Sequence, residues 1–401
     1  MITSALSPLR VHEKKHISKK DVLDIVKSLD DKKNKSKIKL AIVTDGAPID
    51  SKNKLINSFS SSEAVIFDNV KPNPRTEDIM QMYNNPLFFK CDVVIGIGGG
   101  SVLDSAKALA MLKTNGGNLD DYLGNNPKNH IEKKCAPLIL FPTTAGTGSE
   151  VTKVGVFTSP DGRKYTLGSP LMHAYRAVLV QDFVVKAPPA LVASTGLDAL
   201  DHALESIWNK NAKEDTLRLS VSAAIEVLSN LKNMYDTSVA ISNGKEVADS
   251  DYEASKRMLH ASCLAGMAFN LTGTAAGHAL SFVLSETWHV PHGTACAFTL
   301  NGVYDLACTV DSTMESLAQI SRHFHKELNS TKELVKALSD DIKKLSIYMK
   351  QPQGFKDLGI SISKDEIDQN FSRSFDDPKM WNQLPVATKE NIYPILEKLC
   401  K

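Results

Sequence analysis

The sequence predicts two domains: an α/β domain built on a parallel sheet over residues 1–188, followed by a helical domain over residues 189–401. Three observations carry this prediction. Short β-rich runs alternate with helical patterns through the first half, Ala187–Pro189 (APP) interrupts the chain, and long helical windows fill the remainder. At 401 residues, with 42% hydrophobic and 23% charged residues, the chain is long enough for two sizeable cores.

In order, the strand runs are Lys39–Thr44 (KLAIVT), Ala64–Phe67, Val93–Ile97 (VVIGI) and Pro137–Phe141 (PLILF), and their alternation with helices indicates parallel strands. Past the Ala-Pro-Pro break the helical windows are Leu217–Met234, Tyr252–Leu271, Met314–Phe324 and Lys332–Met349. A nucleotide would lie above the sheet, and a metal on the helical side of the cleft.

Charge and cysteine usage narrow the function classes. Against 47 basic residues stand 46 acidic ones, a formal net charge of +1, so no global field draws nucleic acid or an anionic membrane. The six cysteines are scattered without a CxxC pair, which argues against a disulfide framework or a cysteine zinc site and fits a reducing, cytoplasmic setting. The lysine-rich first forty residues lack the apolar core and cleavage site of a secretory signal. No stretch approaches the roughly 18 apolar residues of a transmembrane helix.

Two segments carry chemistry. Asp92–Ala110 (DVVIGIGGGSVLDSAKALA) reads as a strand, a Gly-Gly-Gly-Ser turn and a helix, whose amides and positive end suit a phosphate or pyrophosphate. It is not the GxGxxG fingerprint, and three glycines also make a simple tight turn. Gly196–Ser206 (GLDALDHALES) places Asp198 and His202 four apart, on one helix face. His278 precedes another helical run, and His292 stands in His-Val-Pro-His-Gly at a loop or helix start. Three imidazoles and a carboxylate suit Fe(II) or Zn(II) better than Ca or Mg. Each histidine taken singly is also compatible with a hydrogen-bonded core residue.

GGGSVLDSAKA, PTTAGTGSEVT at Pro142–Thr152, GLDALDHALES and the His278/His292 pair occur in the order found in iron-containing (group III) alcohol dehydrogenases, and the chain resembles that family from about Lys39 to Leu300. The resemblance implies a dehydroquinate synthase-like fold with a dinucleotide-binding α/β domain and a helical metal-binding domain. It implies Asp198, His202, His278 and His292 as ligands of a divalent metal, Fe2+ ahead of Zn2+. Gly98, Gly99, Gly100 and Ser101 would cradle the pyrophosphate, and Asn73 with Pro74 would lie near the adenosine half. Asp104, Thr143, Thr144, Thr147, Thr152 and Lys164 would line the nicotinamide end or its ribose. A family carboxylate at Asp45 lies near the adenosine ribose and would repel a 2′-phosphate, favouring NAD(H) over NADP(H); the alternative is a turn residue that caps the adjoining segment.

The implied reaction is reversible hydride transfer between the nicotinamide and a small primary alcohol or aldehyde, in an oligomer, dimers being usual. Many members carry another histidine four residues after the third ligand, where this chain has Phe282, leaving proton exchange to ribose hydroxyls, water or a threonine such as Thr147. AGMAFNLTGTAAGHALSF resembles the phosphonoacetaldehyde reductase branch, which would yield 2-hydroxyethylphosphonate. Lys153, directly after Thr152, is the candidate cation for such an anion, against the plainer reading of a surface lysine. Competing readings are a general short-chain alcohol or diol dehydrogenase, a dehydroquinate synthase-type lyase, and a non-catalytic metal and nucleotide binder.

Overall fold

A computed structural model describes residues 10–29 and 38–400. The chain divides into two compact units, Met1–Thr144 with Ser149–Lys186, and Ala145–Gly148 with Ala187–Lys401.

The first unit is an α/β domain. Its six-stranded sheet comprises β1 (Arg10–Lys14), β2 (Leu40–Thr44), β3 (Ala64–Phe67), β4 (Val93–Gly98), β5 (Leu138–Pro142) and β8 (Arg176–Val180) in the order β1-β8-β5-β4-β2-β3. Every pairing is parallel. β2, β4, β5 and β8 are buried along their whole length, as a sheet covered on both faces requires, which is why they read as continuous apolar runs. The helices α1 (Lys19–Lys27), α2 (Asp50–Asn57), α3 (Thr76–Tyr83), α4 (Pro86–Phe89) and α5 (Gly100–Asn115) belong to this unit, with a separate antiparallel hairpin of β6 (Val154–Thr158) and β7 (Lys164–Gly168). Among the described residues, one apolar cluster contains Val94, Leu103 and Leu140 and another contains Ile42, Ile95 and Phe141.

The second unit is helical. α6 (Pro189–Ile207), α7 (Glu214–Ser242), α8 (Asp251–Thr272), α9 (Ala276–Trp288), α10 (His292–Ala307), α11 (Asp311–Phe324) and α12 (Thr331–Tyr348) are succeeded by α13 (Ile367–Phe371), α14 (Pro378–Asn382) and α15 (Lys389–Leu399). α6 packs against α7, α8 and α10, so its interior is almost wholly buried. Ala145–Gly148 departs from the preceding strand domain to join this unit. Gly148 has φ +58°, and a Cβ there would sit 2.6 Å from the Gly266 Cα, so only glycine lets this turn lie against α8. Its amide donates to Ser262 Oγ at 3.2 Å. Among the described residues no helix is long and apolar enough to cross a membrane.

Candidate active site

α6 has Pro189 in its first turn, where a missing N–H costs nothing, and runs 19 residues. Asp198, Asp201, His202 and Glu205 recur along it at i, i+3, i+4 and i+7, and so share one face. All four are buried, which is costly for three carboxyl groups unless something compensates them. α9 supplies His278 in its first turn, and α10 begins at His292 with Pro291 as its N-cap. The N-terminus of α10 approaches α6 so closely that a Cβ on Gly293 would stand 2.3 Å from the Ser194 carbonyl oxygen.

These helices converge on one atom. Asp198 Oδ1 lies 3.6 Å from His278 Nε2, 3.8 Å from His202 Nδ1 and 3.8 Å from His292 Nε2. Asp198 Oδ1, His202 Nδ1 and His278 Nε2 are buried and make no hydrogen bond. Buried polar atoms without partners are rare, and here two unsatisfied imidazole nitrogens flank one unsatisfied carboxylate oxygen. Four donors at ~2.1 Å from a tetrahedral ion are about 3.4 Å apart, and the three separations from Asp198 Oδ1 lie near that value. The donor set therefore fits a divalent transition metal, and the fit rests on the orphaned atoms themselves.

Neighbouring groups prepare these donors. His278 Nδ1 lies 2.8 Å from Glu205 Oε2 and 3.2 Å from Asp201 Oδ2. A carboxylate only accepts, so Nδ1 carries the hydrogen and Nε2 faces Asp198. Glu205 is itself fixed by the amides of Ala275 (2.5 Å) and His278 (3.1 Å). Burial pushes His202 down to about 4, and its ring stacks on Phe269 at 4.2 Å. Burial opposes ionisation of Asp198, yet the three imidazoles outweigh it and hold the carboxyl well below its usual range. Burial and the adjacent Glu205 raise Asp201 to about 7. Ser281 Oγ lies 3.3 Å from His292 Nδ1.

Asp201, Glu205 and Cys296 are absent from the sequence-level candidates. The thiol of Cys296 is 3.8 Å from both His292 nitrogens and clusters with Asp198, His278 and His292. Asp201 and Glu205 had a usable signal, the continued helical spacing of polar residues through an otherwise apolar segment. Glu205→Gln is expected to lower metal affinity about 10- to 100-fold, the usual cost of losing a carboxylate behind a ligating histidine. Metal titration of the variant reads this directly, and wild-type affinity would remove Glu205 from the orienting role.

In the α/β domain, Gly98 ends β4, Gly99 is the N-cap of α5, and Gly100 and Ser101 form its first turn. The Gly99 N-cap has no side chain, and the helix lacks an acidic residue in its first turn, so its N-terminal field is not locally neutralised. Asn73, at φ 57°, donates its amide to Ser101 Oγ at 3.2 Å, joining the Pro-Asn-Pro turn to the glycine turn. Thr143 donates its amide to the Gly98 carbonyl at 2.9 Å, and Thr144 Oγ1 is buried without a hydrogen bond.

Asp104 and Thr152 are engaged within the fold. Asp104 accepts from Ser149 Oγ at 2.6 Å and the Val156 amide at 2.9 Å, beside the fully buried Lys107 at 3.4 Å. Lys107 also donates to Ser149 Oγ, Thr152 Oγ1 and the Val154 carbonyl. This cluster ties the segment after the Thr-Thr-Ala-Gly turn to α5, and burial raises nearby Glu150 to about 7. Asp45 Oδ1 accepts from Lys52 Nζ at 2.6 Å and from the Ala47 amide at 3.1 Å, which is the geometry of a turn-capping carboxylate. Lys153 is half-buried just before β6, and Lys164 is half-buried at the start of β7. Thr147 lies in the short segment that joins the helical unit.

Comparison with known proteins agrees along most of the chain. A family model described as iron-containing alcohol dehydrogenase matches residues 15–181, and a second, for the C-terminal part of that family, matches residues 192–400. Alcohol dehydrogenase 4 of Saccharomyces cerevisiae is 31% identical over 341 residues, 84% of each chain. Sulfoacetaldehyde reductase of Bilophila wadsworthia is 36% identical over 226 residues, 56% of this chain and 55% of that protein. The crystal structure of sulfoacetaldehyde reductase from Bifidobacterium kashiwanohense in complex with NAD+ superposes with a TM-score of 0.81 at 26% identity, covering 98% of this chain and 97% of that one.

Proposed function

Since the chain belongs to the iron-containing alcohol dehydrogenase family and is an oxidoreductase of that type, we propose that it interconverts a small aldehyde and its primary alcohol with NAD(H), at a divalent metal held by Asp198, His202, His278 and His292. The observation that supports this reading most is that nitrogens of His202, His278 and His292 all lie within 3.8 Å of Asp198 Oδ1, with that oxygen, His202 Nδ1 and His278 Nε2 buried and unsatisfied.

When bound, the metal supplies Lewis acidity toward the substrate oxygen and the nicotinamide supplies or takes the hydride. The chain's own residues do the rest. Asp198 contributes the anionic donor, and Glu205 and Asp201 hold His278 with Nε2 forward. The amides around Gly98–Ser101, at the N-terminus of α5, would receive the pyrophosphate. Phe282 stands where many relatives carry an imidazole, so it excludes water from that position and holds no proton. NAD(H) is preferred to NADP(H) in this reading, with Asp45 at the end of β2 as the carboxylate whose second oxygen would meet the ribose while Oδ1 caps the turn.

The substrate we favour is phosphonoacetaldehyde, with Lys153, directly after Thr152 in the sequence, as a candidate cation for its phosphonate. Supporting it, a related protein is named for sulfoacetaldehyde, whose tetrahedral sulfonate carries similar oxygens. A general short-chain alcohol dehydrogenase is the second reading, favoured by the likeness to the yeast enzyme. The test is NADH oxidation by metal-stripped protein reloaded with Fe(II) or Zn(II), with phosphonoacetaldehyde set against neutral aldehydes of similar size. Metal-dependent turnover that prefers the phosphonate is the expected result. Preference for neutral aldehydes would leave the second reading, and no metal-dependent oxidation would overturn both.

A further inference from the structure

The C-terminal segment FDDPKMWNQLP carries no motif that assigns it chemistry, yet it brings a cation beside the metal-binding helices. Lys379, in α14, has its Nζ 4.2 Å from the centroid of the Phe282 ring. That ring in turn lies 6.3 Å from the His292 ring. The Lys379 side chain is 15% exposed, uncommon for an ammonium without a purpose, since lysine is rarely buried unless paired. Its partner is Asp377, at 2.9 and 3.3 Å, which also accepts from the Lys379 amide at the start of α14. Asn382 anchors the other end of α14 by donating to the Thr274 carbonyl at 3.0 Å, in the loop before α9.

We propose that Lys379 is a specificity-determining residue that binds the tetrahedral oxyanion of a two-carbon aldehyde carrying a phosphonate or sulfonate. The proposal rests on the aldehyde-reducing reading of the metal centre and names the substrate class for it. Three features carry it. First, Phe282 and Lys379 act as a pair: the aromatic face attracts the ammonium and holds it over a ring that neighbours His292. Second, an ammonium has three donors, and among the described residues one carboxylate and one ring face are its partners, so capacity remains for a ligand oxygen. Third, a two-carbon substrate separates its carbonyl oxygen from its oxyanion by only a few bond lengths. The anion would therefore fall within the shell of side chains next to the ligating histidines, where the Phe282 ring lies 6.3 Å from the His292 ring and carries the Lys379 ammonium 4.2 Å from its centroid. In that shell, burial strengthens a charge-assisted hydrogen bond.

The experiment compares kcat/KM for phosphonoacetaldehyde, sulfoacetaldehyde and propanal in the metal-loaded, full-length enzyme and in Lys379→Met, Lys379→Arg and Lys153→Met. In Lys379→Met the anionic-to-neutral selectivity ratio is expected to fall on the order of 30-fold, mostly through KM, as expected for loss of a charged hydrogen bond. Lys379→Arg should retain the ratio within about fivefold, since it keeps the charge. A larger fall for one anion than the other identifies which oxyanion the site is built for. If Lys379 only pins α14 to α9, both substrate classes lose efficiency together and the ratio stays within threefold, which overturns the proposal, as does a fall confined to Lys153→Met. Calorimetric binding of ethylphosphonate to the metal- and NAD-loaded protein supplies a readout that needs no turnover. Binding weakened on the order of 30-fold in Lys379→Met supports the assignment even where no aldehyde is reduced, whereas equal binding in the two proteins overturns it. Should Lys379→Met fail to fold, Lys379→Gln carries the same comparison.

Discussion

Asp198→Asn is expected to empty the metal site and to lower kcat/KM by on the order of 1,000-fold or more, because it removes the anionic donor from the proposed set while keeping its shape. Asp198 Oδ1 lies within 3.8 Å of a nitrogen from each of His202, His278 and His292. An amide oxygen there leaves a cation facing three neutral imidazoles in a buried space, without the negative charge that offsets removal of the ion from water. The first measurement is metal content by elemental analysis after reloading with Fe(II) or Zn(II), and the second is NADH-linked turnover. Metal below a tenth of the wild-type stoichiometry, together with lost turnover, is the expected pair. A variant that binds a full equivalent of metal and turns over within threefold of wild type would show that the four-donor assignment is wrong.

The second large effect is expected at a residue with no chemical role. A Cβ at Gly293 would lie 2.3 Å from the Ser194 carbonyl oxygen and 2.7 Å from its carbon, and 3.4 Å from the Asp198 Cβ. The first two atoms are backbone of α6, so no rotamer change relieves the contact. Gly293→Ala must push the start of α10 away from α6, and His292 is the adjacent residue. Overpacking of this kind costs about 1–3 kcal/mol of stability. Displacing a ligand by ~1 Å costs roughly 100-fold in rate, so activity should fall well beyond what the loss of stability explains. Thermal melts and kcat/KM on the same preparation separate the two terms. Wild-type turnover in a protein that melts normally would mean that α10 does not need this approach to position His292.

Much of this arrangement was legible in the residues. The α/β domain and the helical domain are readable from the change of hydrophobic period after Ala187–Pro189. β2, β4 and β5 were readable because burial on both faces demands unbroken apolar runs, and the observed bounds lie within a residue of those runs. Asp198 and His202 were readable because a 3.6-residue period places i and i+4 on one face, and His292 because Pro291 and Gly293 bracket a helix start.

Other elements were not legible, for identifiable reasons. β1 is Arg10–Lys14, charged and largely exposed, and only its pairing with β8 makes it a strand. The β6–β7 hairpin has a mixed pattern, and its first strand is fixed by Asp104 and the buried Lys107. Ala145–Gly148 sits between residues of the α/β domain yet packs with the helices, through a positive-φ glycine that no periodicity records. Glu205 and Asp201 become orienting groups for His278 only when α9 is laid across α6, 73 residues away in sequence for the Glu205 contact.

The sequence by itself determined the two-domain class, the glycine turn and the identity of the four candidate donors, because each depends on local period, turn chemistry or residue type. Tertiary structure alone decided which nitrogen of His278 faces Asp198, how near α10 comes to α6, and that Lys379 lies over Phe282. Those features depend on distances between segments far apart in the chain, and such distances are set by side-chain packing, which local propensity does not encode.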